Sequence, residues 1–326
     1  MLNILKAIFG DKTKKERYPE AVVREAIERV VEKTDPWFRA VFDYKYRLRQ
    51  AVILSLDHVE NLTSRLPPPL PIEFGPNLEC PSLAAFFDSH ADMLNAFRKD
   101  RKLADFLRDL DQNSTQVTAL MMMEKSEKTI FTAELSGNIV ARDVPQTSVS
   151  FLNQRFLEPA ESENEVRHRL KNRAFDHLLK IAHKRINRAK ADRKELERWQ
   201  TLFQSKLALL QREDGSPDES GFTGTTNAAD ILGQLKQIEA KLKEQGGEDK
   251  LLSVYLDIAR DVLSHPEQHL WETEQHMILD HSGIKRAQPT VNGSEFTLQE
   301  LCNSEGQQWA MLLITLSVDD LRAICG

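Results

Sequence analysis

Cysteine is scarce in this sequence. The chain has three cysteines, at Cys80, Cys302 and Cys325. None of them forms the closely spaced pairs that zinc sites and redox motifs use. This usage favours a reducing compartment, so we expect a cytoplasmic protein. Long apolar runs are missing too, since no stretch approaches the roughly 18 to 20 residues of a membrane-spanning helix. The first residues also lack a signal-peptide cleavage pattern, and we expect neither a transmembrane segment nor export.

Glycine, proline and the common catalytic motifs are also sparse. With 13 glycines and 13 prolines in 326 residues, disorder is expected only in short segments. The sequence contains no Rossmann glycine pattern and no G-x-S-x-G elbow, and "GFTGTTN" at 221–227 lacks the Lys of a phosphate-binding loop. In "HPEQH" at 265–269, Pro266 breaks the helix that would align the two His as metal ligands. We therefore assign no catalytic, cofactor-binding or metal-binding residue, and a role other than catalysis is favoured.

Charge, by contrast, is abundant and unevenly distributed. The formal net charge is −6, from 44 basic and 50 acidic residues. Segment 167–198 contains twelve Lys or Arg and four acids, a charge of +8, so the remainder of the chain carries −14. A separation of this kind says more about binding partners than the total charge does.

The basic segment has the periodicity of a long helix. Eleven positions, which we call the seam, alternate strictly by four and three residues, and nine of them are apolar. The seam consists of Phe175, Leu179, Ala182, Ile186, Ala189, Arg193, Leu196, Gln200, Phe203, Leu207 and Leu210. The pattern predicts one helix from about Glu163 to Gln211, roughly 70 Å long at 1.5 Å per residue, packed in a bundle or a coiled coil.

The same heptad frame places basic residues on the side of the helix opposite the seam, where no acid occurs. These candidate interaction residues, with the adjacent Arg188, form the basic ridge: Arg173, Lys180, Lys184, Arg188, Lys194 and Arg198. The ridge is about 38 Å long, close to one turn of duplex DNA at roughly 34 Å, and it could follow a row of phosphates. No aromatic residue interleaves, so base stacking is not indicated. A solvated or internally paired face, a protein partner, and nucleic acid or anionic lipid are the alternatives.

The start of the chain allows two interpretations. "MLNILKAIF" at 1–9 has apolar residues at near-helical spacing, and basic residues follow it up to Arg17. A terminal helix that docks on this protein or on a partner is one interpretation. Peripheral membrane contact through residues 1–17 is the other.

The rest of the N-terminal region has helical periodicity that begins at prolines. A long helix is predicted from Pro36 to about Arg65, with Trp37 on its apolar side. Another helical stretch is predicted from Pro81 to about Leu110.

Two later segments, 116–151 and 271–284, change to the two-residue period of strands. One face of the second segment carries Glu272, Glu274, His276 and Asp280. Carboxylates and an imidazole so arranged could bind a metal or perform acid–base chemistry. The solvent-facing side of a sheet is the simpler explanation.

These patterns predict an α+β protein that is rich in helix. A long helix in a bundle or coiled coil is combined with a small antiparallel β-meander and a C-terminal β segment. The expected regions are a helical part at 1–113, the meander at 114–158, the long basic helix and its bundle at 159–264 with a flexible loop at 213–227, and the C-terminal β segment at 265–326. One further expectation pairs the last region with the meander in a single sheet.

The sustained seam and the lack of catalytic motifs favour a non-catalytic cytoplasmic interaction or scaffold protein. It would act through the long helix, by self-association or by binding a protein partner. Nucleic-acid or anionic-surface binding by the basic ridge is the first alternative. An enzyme that uses the acidic and His face of the C-terminal β segment is the second. No cofactor is expected.

Overall fold

The computed structural model describes residues 18–75, 78–111, 114–136, 139–213, 228–246, 250–280, 282–288 and 293–325. It combines helices with a curled, largely antiparallel sheet. The expectations for residues 1–17 and for a loop at 214–227 lie outside the described residues.

The elements follow one another along the chain, with helices and strands mixed. The helices are α1 (Glu20–Lys33), α2 (Tyr44–Ser64), α3 (His90–Lys99), α4 (Arg101–Asp109), α5 (Glu163–Glu213), α6 (Ala228–Glu244), α7 (Leu251–Ser264) and α8 (Val318–Cys325). The strands are β1 (Leu70–Ile72), β2 (Gln116–Ser136), β3 (Ile139–Ala160), β4 (Leu270–Leu279), β5 (Ser294–Asn303) and β6 (Gln308–Ser317). Short 3-10 helices cover Pro36–Ala40, Pro81–Phe86 and Pro266–Gln268.

The chain divides into two compact units. One contains the residues up to Leu56 together with Asp176–Pro266, and the other contains Asp57–Phe175 together with the residues from Glu267 onward. The division falls inside α2 and α5. These units cut across the four consecutive regions that the sequence suggested, because strands remote in sequence belong to one sheet.

That sheet has the strand order β3-β2-β6-β5-β4, with β1 paired in parallel to β6. The antiparallel ladder of β2 with β6 joins the two β segments, 114–158 and 265–326. Turn residues 282–286 bind both outer strands, because Val149 N–H donates to Gly283 O at 2.8 Å and Arg286 N–H donates to Ile278 O at 2.9 Å. Gly283 has φ +73°, and a Cβ there would lie 2.9 Å from Val149 O, so the turn needs glycine. The turn thus bridges β3 to β4 and curls the sheet.

Alternation along β2 supplies both faces of the sheet. The main core cluster of the unit that contains the sheet is lined by α3, α4 and α8 and by four residues of β2, namely Val117, Ala119, Met121 and Met123. Leu120 belongs to the second cluster, on the opposite face, where Val166 and Leu170 of α5 cover it. The period of two residues predicted from the sequence therefore places successive side chains in different cores.

The other unit consists of helices tied by ion pairs. Arg29 of α1 forms a two-pronged pair with Asp176 of α5, at 2.6 and 2.8 Å. Lys190 Nζ lies 2.6 Å from the Asp35 carboxylate, which is 4% exposed. Its buried apolar residues include Val30, Val31, Leu48, Val52, Leu178, Leu179, Leu256 and Val262.

The prediction of a long helix is confirmed by α5, whose first residue is Glu163 as expected. The predicted start at Pro36 is wrong, because the Asp35 carboxylate accepts a bond from Trp37 N–H and stabilises a short 3-10 helix. The regular helix α2 begins only at Tyr44. Trp37 is 72% exposed, while its neighbour Phe38 is buried.

The stretch predicted as one helix from Pro81 is also interrupted. Ser89 accepts a bond from Asp92 N–H and caps α3, and Asp100 accepts from the N–H groups of Lys102 and Leu103 and caps α4. Caps of this kind end one helical run and begin another, because each satisfies backbone N–H groups that have no helical partner.

Candidate interaction surfaces on the long helix

Burial of the seam changes along α5. Its first four members, Phe175, Leu179, Ala182 and Ile186, are at most 3% exposed. From Ala189 onward every seam residue is only half-buried, and every other residue between positions 191 and 209 is exposed. From Phe175 to Leu210 every seam position is therefore buried or half-buried, but only the first four members lie within a core.

The backbone just after helix α6 contacts the distal seam at Arg193. Arg193, a polar member of the seam, donates to Gly246 O at 2.9 Å and pairs with Glu197 at 2.8 Å. Ile231 and Leu235 of α6 are buried. A cation beside the C-terminal end of a helix is stabilised by the carbonyls there, so Arg193 positions the end of α6 beside the middle of α5.

Three large apolar side chains lie exposed beside the distal seam. Trp199 is 44% exposed, Leu202 42% and Leu209 58%. We call these three residues the distal row. The Trp199 ring stacks on Phe203 with centroids 5.7 Å apart, and its Nε1–H donates to Glu195 at 3.4 Å. The row continues the apolar surface of the seam around the helix.

The basic ridge is exposed, and its charges are not equivalent. Arg173 pairs with Glu158 at 3.0 Å. Lys180, Arg188, Lys194 and Arg198 form no ion pair with any residue that the structure describes. These four cations are the part of the predicted ridge available to an external anion.

Most of the other basic residues in 167–198 are neutralised internally, which explains much of the +8 charge. Lys171 pairs with Glu60 at 2.6 Å, and Arg185 lies 3.5 Å from Asp261. Arg167 pairs with Glu163 at 2.7 Å. The segment thus supplies counter-ions to acids elsewhere in the fold.

The acidic and His face of β4 does not converge on a shared site. Glu272 pairs with Arg65 at 2.9 Å, Glu274 accepts from Gln299 at 2.9 Å, and His276 lies 3.0 Å from Glu295. Within the described ranges, no three His, Cys, Asp or Glu side chains are placed to hold a metal ion. Glu272, Glu274 and His276 thus bind three different partners rather than one common group.

Asp280, the fourth residue of this face, stabilises the turn that follows β4. Its carboxylate accepts from the N–H groups of Ser282 and Ile284 and pairs with Arg286 at 2.8 Å. Burial raises the pKa of this carboxyl, but the Ile284 N–H, the Arg286 guanidinium and the Ser282 N–H outweigh it, and the pKa lies below its ordinary value. Asp280 is therefore a structural anion at neutral pH.

A buried ion pair on the sheet was missed by sequence reasoning. Lys125 Nζ lies 2.6 Å from Glu300 Oε1 and 3.2 Å from Glu127, and Gln275 and Gln308 complete the cluster. The Glu300 side chain is 3% exposed and that of Lys125 12%. Burial by itself lowers the pKa of Lys125. The bonds to the Glu300 and Glu127 carboxylates raise this pKa by more than burial lowers it, so the pKa lies above its ordinary value. The signal was present, because Lys125 follows Met121 and Met123 at the same two-residue period.

An open groove of about 630 Å³ lies between α3 and β3. Its charged lining includes Asp88, Asp92, Lys99, Arg101 and Arg155. Acids and bases are mixed along it, so no single class of charged ligand is favoured.

Comparison with known proteins supplies no relative, since no family model, curated protein or solved structure matches this chain. Among the described residues, no helix has both the length and the apolar character needed to cross a membrane.

Proposed function

We propose that this chain is a non-catalytic interaction or scaffold protein that binds protein through the distal half of α5, by self-association or by docking a partner. The observation that carries the proposal is the distal row, Trp199, Leu202 and Leu209, beside a half-buried seam. Full burial of a large apolar side chain stabilises by about 1.5–3 kcal/mol, and about half of that remains to be gained on binding, because each of the three is roughly half exposed. Tryptophan is also enriched among residues that dominate binding energy. The free cysteines, of which Cys80 and Cys302 are buried, support a reducing, cytoplasmic location.

We further propose that the distal parts of α5 and α6 pair as a small coiled coil. The bond from Arg193 to Gly246 and the buried face of Ile231, Leu235 and Ile238 on α6 support this arrangement. Two helices alone leave their shared seam half-exposed, so a further helix is needed to complete the core.

Replacing all three residues of the distal row by Gln should convert an associated wild-type protein to a monomer. Glutamine keeps the helix propensity of α5 while removing the apolar contact. Analytical ultracentrifugation over a range of concentrations measures the mass.

The matched control replaces Trp37, Phe42 and Tyr46 by Gln. These residues are 72%, 104% and 83% exposed, so they test whether any exposed aromatic group drives association. The control should retain the wild-type mass. A wild type that remains monomeric at every concentration would remove the self-association part of the proposal.

The second candidate function is binding of nucleic acid or another anionic surface by the basic ridge. The four cations that form no ion pair with a described residue, Lys180, Arg188, Lys194 and Arg198, favour it. Contact through residues 1–17 could add membrane affinity, but that segment lies outside the described residues.

Replacing Lys180, Arg188, Lys194 and Arg198 by Glu should abolish binding to duplex DNA in low salt, because phosphate contacts supply most of sequence-independent affinity. Fluorescence anisotropy at several salt concentrations measures the effect. The control reverses four other exposed cations, Lys99, Arg101, Lys102 and Arg108, and should bind like the wild type. Absence of wild-type binding in low salt would end this second proposal for nucleic acid.

A further inference from the structure

We propose that the partner of the distal row is a second copy of this chain, packed antiparallel against the first across a two-fold axis beside the Gln200–Thr201 peptide. This inference rests on the proposed function, because the same surface is used. It adds the identity of the partner, its direction and its register.

The distal row belongs to a second stripe of α5 with the spacing of a coiled-coil face. Positions 188, 192, 195, 199, 202, 206 and 209 alternate by four and three residues, and all seven are exposed. In order they are Arg188, Asp192, Glu195, Trp199, Leu202, Lys206 and Leu209. The stripe lies about a quarter turn around the helix from the seam, so a helix docked there also contacts the near edge of the seam, which includes Leu196 and Phe203.

An antiparallel copy in this register gives complementary layers. Residues that face each other lie equally far along the helix from the two-fold axis. Trp199 of each copy therefore opposes Leu202 of the second copy, and the symmetry makes two such contacts. One turn outward on each side, Glu195 opposes Lys206 of the second copy. The centre is therefore apolar and is flanked by two opposite-charge pairs, the order expected of a specific helical interface.

Other arrangements of the two helices bring residues of like charge together or oppose a charged residue to an apolar one. A parallel, in-register pair opposes Glu195 to Glu195 and Lys206 to Lys206. An antiparallel shift by one heptad opposes either Lys206 to Leu202 or Arg188 to Lys206. Like charges at such positions disfavour the arrangement, so charge complementarity selects the register centred between 200 and 201.

The interface is small, which limits its strength. Its apolar centre consists of two Trp199 and two Leu202 side chains, and the outer layers oppose Asp192 to Leu209 at the rim. Interfaces with so little apolar area are of the weak class. We expect a dimer with a dissociation constant of about micromolar.

Distances between two spin labels distinguish the arrangements. Thr201 and Asn187 occupy the same heptad position, away from the proposed interface, and both are exposed. Each is replaced by a labelled Cys in a chain with Cys325 changed to Ser, while the buried Cys80 and Cys302 remain. At 1.5 Å per residue, the antiparallel dimer separates two Thr201 sites by about 1.5 Å along the axis and two Asn187 sites by about 40 Å.

Double electron–electron resonance should therefore give a distance at position 187 roughly 20 Å or more above that at position 201. Equal distances at the two positions would overturn the antiparallel arrangement while leaving the proposed function intact. A strictly monomeric protein would overturn this inference and the self-association part of the proposed function, while docking of a different partner would still be open to test.

A charge exchange tests the register independently. Glu195→Lys alone and Lys206→Glu alone should each weaken the dimer about tenfold, because each variant turns two attractive pairs into two repulsive ones. The double variant, with both charges exchanged, should return to within about twofold of the wild type. A double variant weaker than either single variant would overturn the pairing of Glu195 with Lys206.

Discussion

Replacing Lys125 by Met should lower the free energy of unfolding by about 3–5 kcal/mol, the range for removal of one partner of a buried ion pair. Glu300 would then carry an uncompensated charge in a position where its side chain is 3% exposed. Desolvation of that carboxylate is the physical cause, because Lys125 is the only cation among the described residues that lies within 4 Å of it. Urea unfolding followed by circular dichroism measures the loss.

The matched variant is Lys125→Met combined with Glu300→Leu. It removes both charges and should recover most of the lost stability, because an apolar pair of similar volume satisfies the same space. The loss in the single variant should also shrink as the pH falls, since a buried carboxyl without its counter-ion binds a proton more readily in the folded chain. A loss below about 1 kcal/mol in the single variant would show that water reaches the pair.

Replacing Leu179 by Ala should cost about 2–5 kcal/mol of stability, whereas Leu196→Ala should cost clearly less. Both residues belong to the seam, and both are leucines on the same helix. Leu179 is fully buried, while Leu196 is half-exposed. The cost of truncation depends on the cavity that remains, and a half-exposed site leaves water in place of a void.

Chemical denaturation at low protein concentration, where monomers dominate, compares the two variants. At high concentration Leu196→Ala should show a larger effect, because association buries the distal seam. Equal losses for the two variants at low concentration would mean that the distal half of α5 is covered within the single chain.

Local sequence patterns predicted many of the helices and strands. The four-three spacing from Phe175 to Leu210 predicts a helix from local sequence alone, and α5 begins at the predicted Glu163. Strand periodicity in β2 and β4 was recognised for the same reason. The breaks at Pro36 and Ser89 were missed, because a side chain that caps the backbone competes with an apolar pattern that continues through it.

The candidate site was only partly predictable. The basic ridge could be located from heptad positions alone, and its residues are exposed in the structure. Which of its cations are paired depends on acids far away in sequence, such as Glu158 for Arg173. The distal row was missed because Trp199 and Leu202 resemble flanking residues of a seam until the structure shows that each is more than 40% exposed.

The sequence by itself determined the long helix, its two faces and the presence of two β segments, because these are read from periods of 3.5 and 2 residues along one stretch of chain. Only the tertiary structure decided that β6 joins those segments into one sheet. It also decided that Lys125 meets Glu300 and that the seam leaves the core after Ile186. Those outcomes depend on residues separated by many positions, whose encounter is set by packing of the whole chain.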